Sequence, residues 1–196
     1  MTISNCAPTT LIFAGPLPPP VHGQAVATAF LLAKIQEQPG LLPDVVDLGG
    51  SALDPRRLTP YATLLTKLLR RAAHADRTVF YLSVSANTGM FLNILPVFVA
   101  RTLGFRIVLH HHTAGHLHSA LPRMRWLSRA AGATALHVSV CERLNRRLRE
   151  LYPSVRRTKA LSNIAMIQRQ AAKPMRFNGI LTLGFISNLT FEKGLK

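Results

Sequence analysis

The densest group of side chains able to do chemistry is His110-His111-His112, with His116 and His118 close behind. Imidazoles in such numbers point to metal ligation or to hydrogen bonding with a polar ligand by groups that titrate near neutrality. Metal ligation is disfavoured. No Cys, Asp or Glu stands near them, and neighbours along a strand face opposite sides, so three consecutive histidines do not converge on one ion. A plainer reading is also open, in which they are polar strand-end residues with satisfied hydrogen bonds. The second group is Gly15-Pro-Leu-Pro-Pro-Pro-Val-His22-Gly23-Gln24, which runs directly into helical spacing. A tight loop ahead of a helix start is where backbone N–H groups and the helix dipole meet a phosphate. Neither G-x-G-x-x-G nor G-x-x-x-x-G-K-[ST] occurs in the chain, so the dinucleotide and P-loop readings lack their defining glycines. The acids offer only the Asp44, Asp47 spacing as a D-x-D-type pair, placed within or beside a strand. Diphosphate chemistry here would therefore rest on Lys, Arg and helix N-termini rather than on a divalent cation.

These residues need a scaffold, and the apolar pattern supplies one. In 196 residues, 48% are hydrophobic and the apolar runs recur at intervals, as in a packed domain. Strands are expected at Thr10–Ala14, Asp44–Leu48, Val79–Ser83, Phe105–His110 and Ala133–Ser139. Helices are expected at Gly23–Gln38, Leu58–Ala75 with Leu64, Leu65, Leu68 and Leu69 inward, Met90–Leu103, Leu121–Ala131 and Cys141–Leu151. Alternating strands and helices predict an α/β fold, a Rossmann-like doubly wound parallel sheet whose ligands gather at the carboxyl ends of its strands. Residues 1–165 form this domain. Residues 166–178 read as a linker, and 179–196 as the first strand and turn of a second Rossmann-like domain.

Lys and Arg number 24 against 8 acids, a formal charge of +16, so the partner should be anionic. A nucleic acid answers to charge alone, but no RRM, KH or zinc-finger signature is present and the aromatics do not alternate with the basic runs. No specific nucleic-acid partner is expected. A basic membrane- or nucleic-acid-binding module without catalysis stays open as the alternative. Leu64-Leu65-Thr66-Lys67-Leu68-Leu69-Arg70-Arg71 joins an apolar stripe to cations that can lie against an anionic membrane surface, and Trp126 sits among Arg123, Arg125 and Arg129. A solvated basic face and core packing of Trp126 are equally open. The uncharged stretch Thr78–Ala100 is long enough to cross a bilayer, but Ser83, Ser85, Asn87, Thr88 and Gly89 divide it into strand, turn and helix. Cys6 and Cys141 lie far apart without a secretory signature, which predicts free thiols in the cytoplasm, and the basic helices leave peripheral contact with the inner face of the cytoplasmic membrane open.

Residues 15–28 resemble the opening of bacterial retaining glycosyltransferases of the GT-B fold, in the family 4-like group. The similarity continues through Val138-Ser139 ahead of a helix and through Leu161-Ser162-Asn163-Ile164. It is strongest in Leu183-Gly184-Phe185-Ile186-Ser187-Asn188-Leu189-Thr190-Phe191-Glu192-Lys193-Gly194, which resembles the start of that family's nucleotide-sugar-binding domain. The resemblance implies the N-terminal half of a GT-B fold. It also implies hexose transfer from a nucleoside-diphosphate sugar to a glycan or lipid-linked acceptor, with retention, no metal and no cofactor beyond the donor, in cell-surface polysaccharide synthesis. By the same resemblance Gly23, flanked by His22 and Gln24, approaches the donor phosphates, and His112 contacts the transferred sugar as the catalytic-site histidine. Ser139 joins the donor- and acceptor-binding residues, Asn163 sits near the interdomain crossover, and Lys193 steadies the departing diphosphate. Asn188 replaces the family's usual Arg and cannot form a bidentate phosphate pair. The family's Glu-rich donor segment has no counterpart before Lys196, so a chain ending there is expected to be inactive alone.

Overall fold

The computed structural model describes residues 9–49, 58–86, 88–113 and 115–163. Six strands form one all-parallel sheet: β1 (Thr9–Gly15), β2 (Leu41–Asp47), β3 (Thr78–Ser83), β4 (Arg106–His111), β5 (Leu136–Ser139) and β6 (Arg157–Ala160). The helices are α1 (Gly23–Gln36), α2 (Leu58–Arg70), α3 (Gly89–Thr102), α4 (Gly115–His118), α5 (Pro122–Ala131) and α6 (Glu142–Leu151). Strand order is β2-β1-β3-β4-β5-β6, a doubly wound arrangement.

Alternation along the central strands separates two apolar layers. Ile12, Ala14, Phe80, Leu82, Ile107 and Leu109 face α2, α3, α5 and α6, where Leu64, Leu68, Val97, Met124, Leu127 and Leu148 close the larger core. Leu11, Phe13 and Tyr81 face the other way, toward Leu32 of α1. Phe13 and Tyr81 stack there with ring centroids 4.5 Å apart. Strands buried on both sides need near-continuous apolar runs, which β1 and β3 have.

Sequence expectation and structure differ at four points. First, helix α2 stops at Arg70, and Ala72–Arg77 is a 3-10 segment with a non-helical His74, so no α-helix reaches Ala75. Thr78 Oγ1 donates to the His74 carbonyl at 2.8 Å, tightening the chain into β3. Second, Leu69 is 60% exposed, because the inward stripe runs Tyr61, Leu64, Leu68 and the next residue lies about 100° further round. Third, β6 has no apolar run. Its sequence Arg-Thr-Lys-Ala suits an exposed edge, where charge discourages further pairing. The opposite edge strand, β2, begins at Leu41 rather than Asp44 because an edge tolerates the missing N–H of Pro43. The expected linker and second-domain strand, with Asn188 and Lys193, lie outside the described residues.

Candidate functional site at the carboxyl edge of the sheet

Strand order reverses between β1 and β3, so the crossovers on either side of that point diverge and leave a crevice above the strand ends. The loop leaving β1 starts with buried Gly15. A Cβ there would lie 2.6 Å from Ser83 Cβ at the end of β3, so only glycine lets the two strands approach this closely. The loop is then tied to β2: the Leu17 amide donates to Asp47 Oδ1 at 2.9 Å, and the Leu48 amide donates to the Gly15 carbonyl at 3.0 Å. Gln24 Nε2 donates to Ser83 Oγ and to the Val84 carbonyl, both at 2.9 Å, and buried Thr28 Oγ1 donates to Ser83 Oγ at 3.2 Å. These bonds aim the first turn of α1 at the crevice.

His22 is the N-cap of α1, its Nδ1 accepting from the Ala25 amide at 3.3 Å. The first intrahelical bond is Val26 N–H to His22 C=O, so the Gly23 and Gln24 amides lie ahead of the ladder. Gly23 is exposed, and a Cβ built on it meets nothing within 4 Å. The space over this helix start is therefore open to a ligand.

The two carboxylates of the D-x-D-like spacing serve the scaffold. Asp44 is ion-paired with Lys67 of α2, which also donates to the Val45 carbonyl. Asp47 Oδ1 accepts from the Leu17 and Gly49 amides.

The histidines separate by face, as strand alternation requires. His110 and His112 are together on the α1 side, ring centroids 3.9 Å apart, with the Tyr81 hydroxyl 2.8 Å from His110 Nδ1. On the other side His111 Nε2 lies 3.0 Å from His137 Nδ1 of β5, and the His116 ring is 5.0 Å from His111. Burial, reinforced by neighbouring imidazoles, lowers His110 to about 3 and holds His111 well below its ordinary value. Burial lowers His112 to about 4. It does the same for His116, with a contribution from Arg123, and for His137, with one from His116. All five are neutral at pH 7. A neutral imidazole both donates and accepts, so each ring can hydrogen-bond a polar ligand without carrying charge. His112 stands just past β4, half-buried, with both ring nitrogens lacking partners among the described residues. Among those residues no three His, Cys, Asp or Glu side chains converge as metal ligands would.

Two other predicted positions lie further along the edge. Ser139 ends β5 with its Oγ 2.7 Å from Asn145 Oδ1 and 3.0 Å from the Cys141 carbonyl, so its hydroxyl anchors the start of α6. Asn163 is exposed, three residues beyond the edge strand β6. The structure thus ties Gln24 of the α1 start to Ser83, with His22 and Gly23 preceding it on the same turn, and leaves Ser139 and Asn163 at successive strand ends.

Sequence reading missed a pocket of about 390 Å³ beside this row, lined by Ala86, Met90, Thr113, Gly115, His116, Leu121 and Arg123. Neither His112 nor the α1 start lines it. Its walls come from the loop after β3, the loop after β4 and the first turn of α5. Tyr152 holds them in place by donating from its hydroxyl to the His116 carbonyl at 2.6 Å and accepting from the Leu121 amide at 3.1 Å. His137 and Tyr152 carried no local motif; only their burial singles them out.

Fold and strand order together define a doubly wound, Rossmann-like α/β domain whose strand order reverses between β1 and β3. The sequence matches no protein-family model and no curated protein. Among the described residues no helix is long and apolar enough to cross a membrane.

Proposed function

We propose that this chain is the acceptor-side domain of a metal-independent, retaining glycosyltransferase, acting on a nucleoside-diphosphate sugar and a glycan or lipid-linked acceptor. The observation that carries the reading is the α1 start. Gly23 is open to approach, its neighbouring amides are unsatisfied by the helix, and Gln24 and Ser83 hold it over the strand reversal. In that reading the donor diphosphate meets Gly23 and Gln24. Neutral His112 hydrogen-bonds the sugar, and Lys193 steadies the leaving diphosphate.

Equilibrium dialysis of the 196-residue chain against a panel of nucleoside-diphosphate sugars tests this. Saturable binding of at least one of them, reduced in Gly23→Val, is expected. A chain that binds none of them, or whose Gly23→Val variant binds unchanged, rules the reading out.

A second reading, a basic membrane-docking module without catalysis, is favoured by the outer face of α3 and α5. Phe91, Leu95 and Phe98 follow helical spacing on α3 at 45–55% exposure, with Trp126 of α5 at 54% and its ring 5.9 Å from Phe91. Arg125 and Arg129 are exposed on α5 alongside, so an anionic bilayer complements the face. Co-sedimentation with vesicles containing anionic lipid, lost in Phe98→Ser with Trp126→Ser, supports docking. Equal sedimentation of the double variant excludes it.

A further inference from the structure

The pocket between α4 and α5 holds two buried nitrogens with no hydrogen-bond partner among the described residues. His116 is 3% exposed, lines the pocket, and its Nε2 has no hydrogen-bond partner among the described residues. Arg123, on the same wall, has a buried Nε in the same condition and forms no ion pair among those residues. A buried donor left unmade costs free energy, more so on a charged group, so a ligand that accepts from it is strongly favoured. No carboxylate is among the described residues that line the pocket, and no Asp or Glu occurs between Asp76 and Glu142. Within the described fold, then, no acid from this stretch of chain can balance the guanidinium.

We infer that this pocket binds a phosphate group, held by the Arg123 guanidinium, the His116 imidazole N–H and the Thr113 hydroxyl. A phosphate offers several acceptor oxygens and matches the planar fork of an arginine. The neutral His116 tautomer with its proton on Nε2 donates to it without needing to be charged. Thr113 supplies a third donor from the loop after β4. Apolar Met90 and Leu121 beside these groups exclude water and strengthen the contact.

The identity of the molecule carrying that phosphate rests on the proposed acceptor-side reading. Under it, the ligand is a phosphorylated acceptor, either a soluble sugar phosphate or a lipid whose headgroup carries phosphate. The pocket's preference for phosphate stands independently of that reading, because it is measured at Arg123 rather than at Gly23.

The experiment is calorimetric titration of the 196-residue chain with inorganic phosphate at constant ionic strength. Saturable binding is expected, weakened about tenfold or more in Arg123→Gln, as loss of a charge-assisted hydrogen bond implies. Arg129→Gln, an exposed change on the same helix, should bind like the parent. If Arg123→Gln fails to fold by circular dichroism, Arg123→Lys keeps the charge but removes the Nε donor, and weakened binding is again expected. Absence of saturable binding overturns the assignment. So does equal weakening by Arg123→Gln and Arg129→Gln, which would mark unspecific attraction. Loss in Gly23→Val with retention in Arg123→Gln would place the anion at α1 and also overturn it. Competition by a soluble hexose phosphate identifies a free phosphorylated sugar. Competition only by vesicles bearing a phosphate headgroup identifies a lipid.

Discussion

The Tyr152 hydroxyl donates a 2.6 Å hydrogen bond to the carbonyl of His116, joining the residue just after α6 to the wall of a pocket 36 positions earlier in the chain. The same oxygen accepts from the Leu121 amide, and Tyr152 is 1% exposed. Tyr152→Phe removes the partner of both backbone groups while keeping the ring. It should lower unfolding free energy by about 1–3 kcal/mol, the cost of buried groups left unpaired. Urea unfolding measures this, and phosphate affinity should fall with it because the α4–α5 wall loosens.

Gly15 and Ser83 lock the strand reversal sterically. Gly15→Ala puts a methyl 2.6 Å from Ser83 Cβ and 3.0 Å from Thr28 Cγ2, atoms close to the backbone that cannot swing away. Destabilisation of about 1–3 kcal/mol is expected from such overpacking. A shift in the urea midpoint at unchanged slope would show it, and an unshifted midpoint would contradict the close contact.

Gly23 makes the opposite case. A methyl added there meets nothing, and alanine is the better helix former, so Gly23→Ala should leave stability unchanged or raise it by up to about 1 kcal/mol. Nucleotide-sugar affinity should nevertheless fall, because the methyl occupies the approach to the first amides of α1. Thermal unfolding and dialysis on the same samples separate the two effects.

The buried histidines make stability depend on pH. In the folded chain His110 titrates at about 3, and His112, His116 and His137 at about 4, against 6.5 for a free imidazole. As pH falls through 6.5 the unfolded chain takes up protons that the folded chain refuses, so unfolding is favoured. The stability is fully present above that value. It is lost progressively toward the folded values, at about 1.4 kcal/mol per unit of depression for each independent group. Urea unfolding at about pH 7.5 and about pH 5 should show a large drop, smaller in His137→Gln. Equal stability at both would mean the cluster is not buried and neutral.

Much of the scaffold was legible in the chain because periodicity reports burial. Leu-Ile-Phe-Ala in β1 and Val-Phe-Tyr-Leu in β3 are apolar on both faces, as central parallel strands must be. Edges carry a weaker signal. Arg157-Thr-Lys-Ala became β6 only because β5 offered an unpaired ladder, a condition set by distant sequence. Leu69 looked inward by type, but its angle relative to Leu64 and Leu68 put it outside the stripe.

By itself the sequence determined the alternating α/β architecture, the placement of the Gly15–Gln24 loop at a strand end, and a strongly positive net charge. Each of these follows from local order along the chain. Tertiary structure alone decided which residues meet. It joined Gln24 to Ser83 across 59 positions, split consecutive histidines between two faces, and set His116 Nε2 and Arg123 Nε in one pocket without hydrogen-bond partners among the described residues. Such contacts depend on strand order and crossover side, which arise from the packing of the whole sheet and leave no mark in any short stretch of sequence.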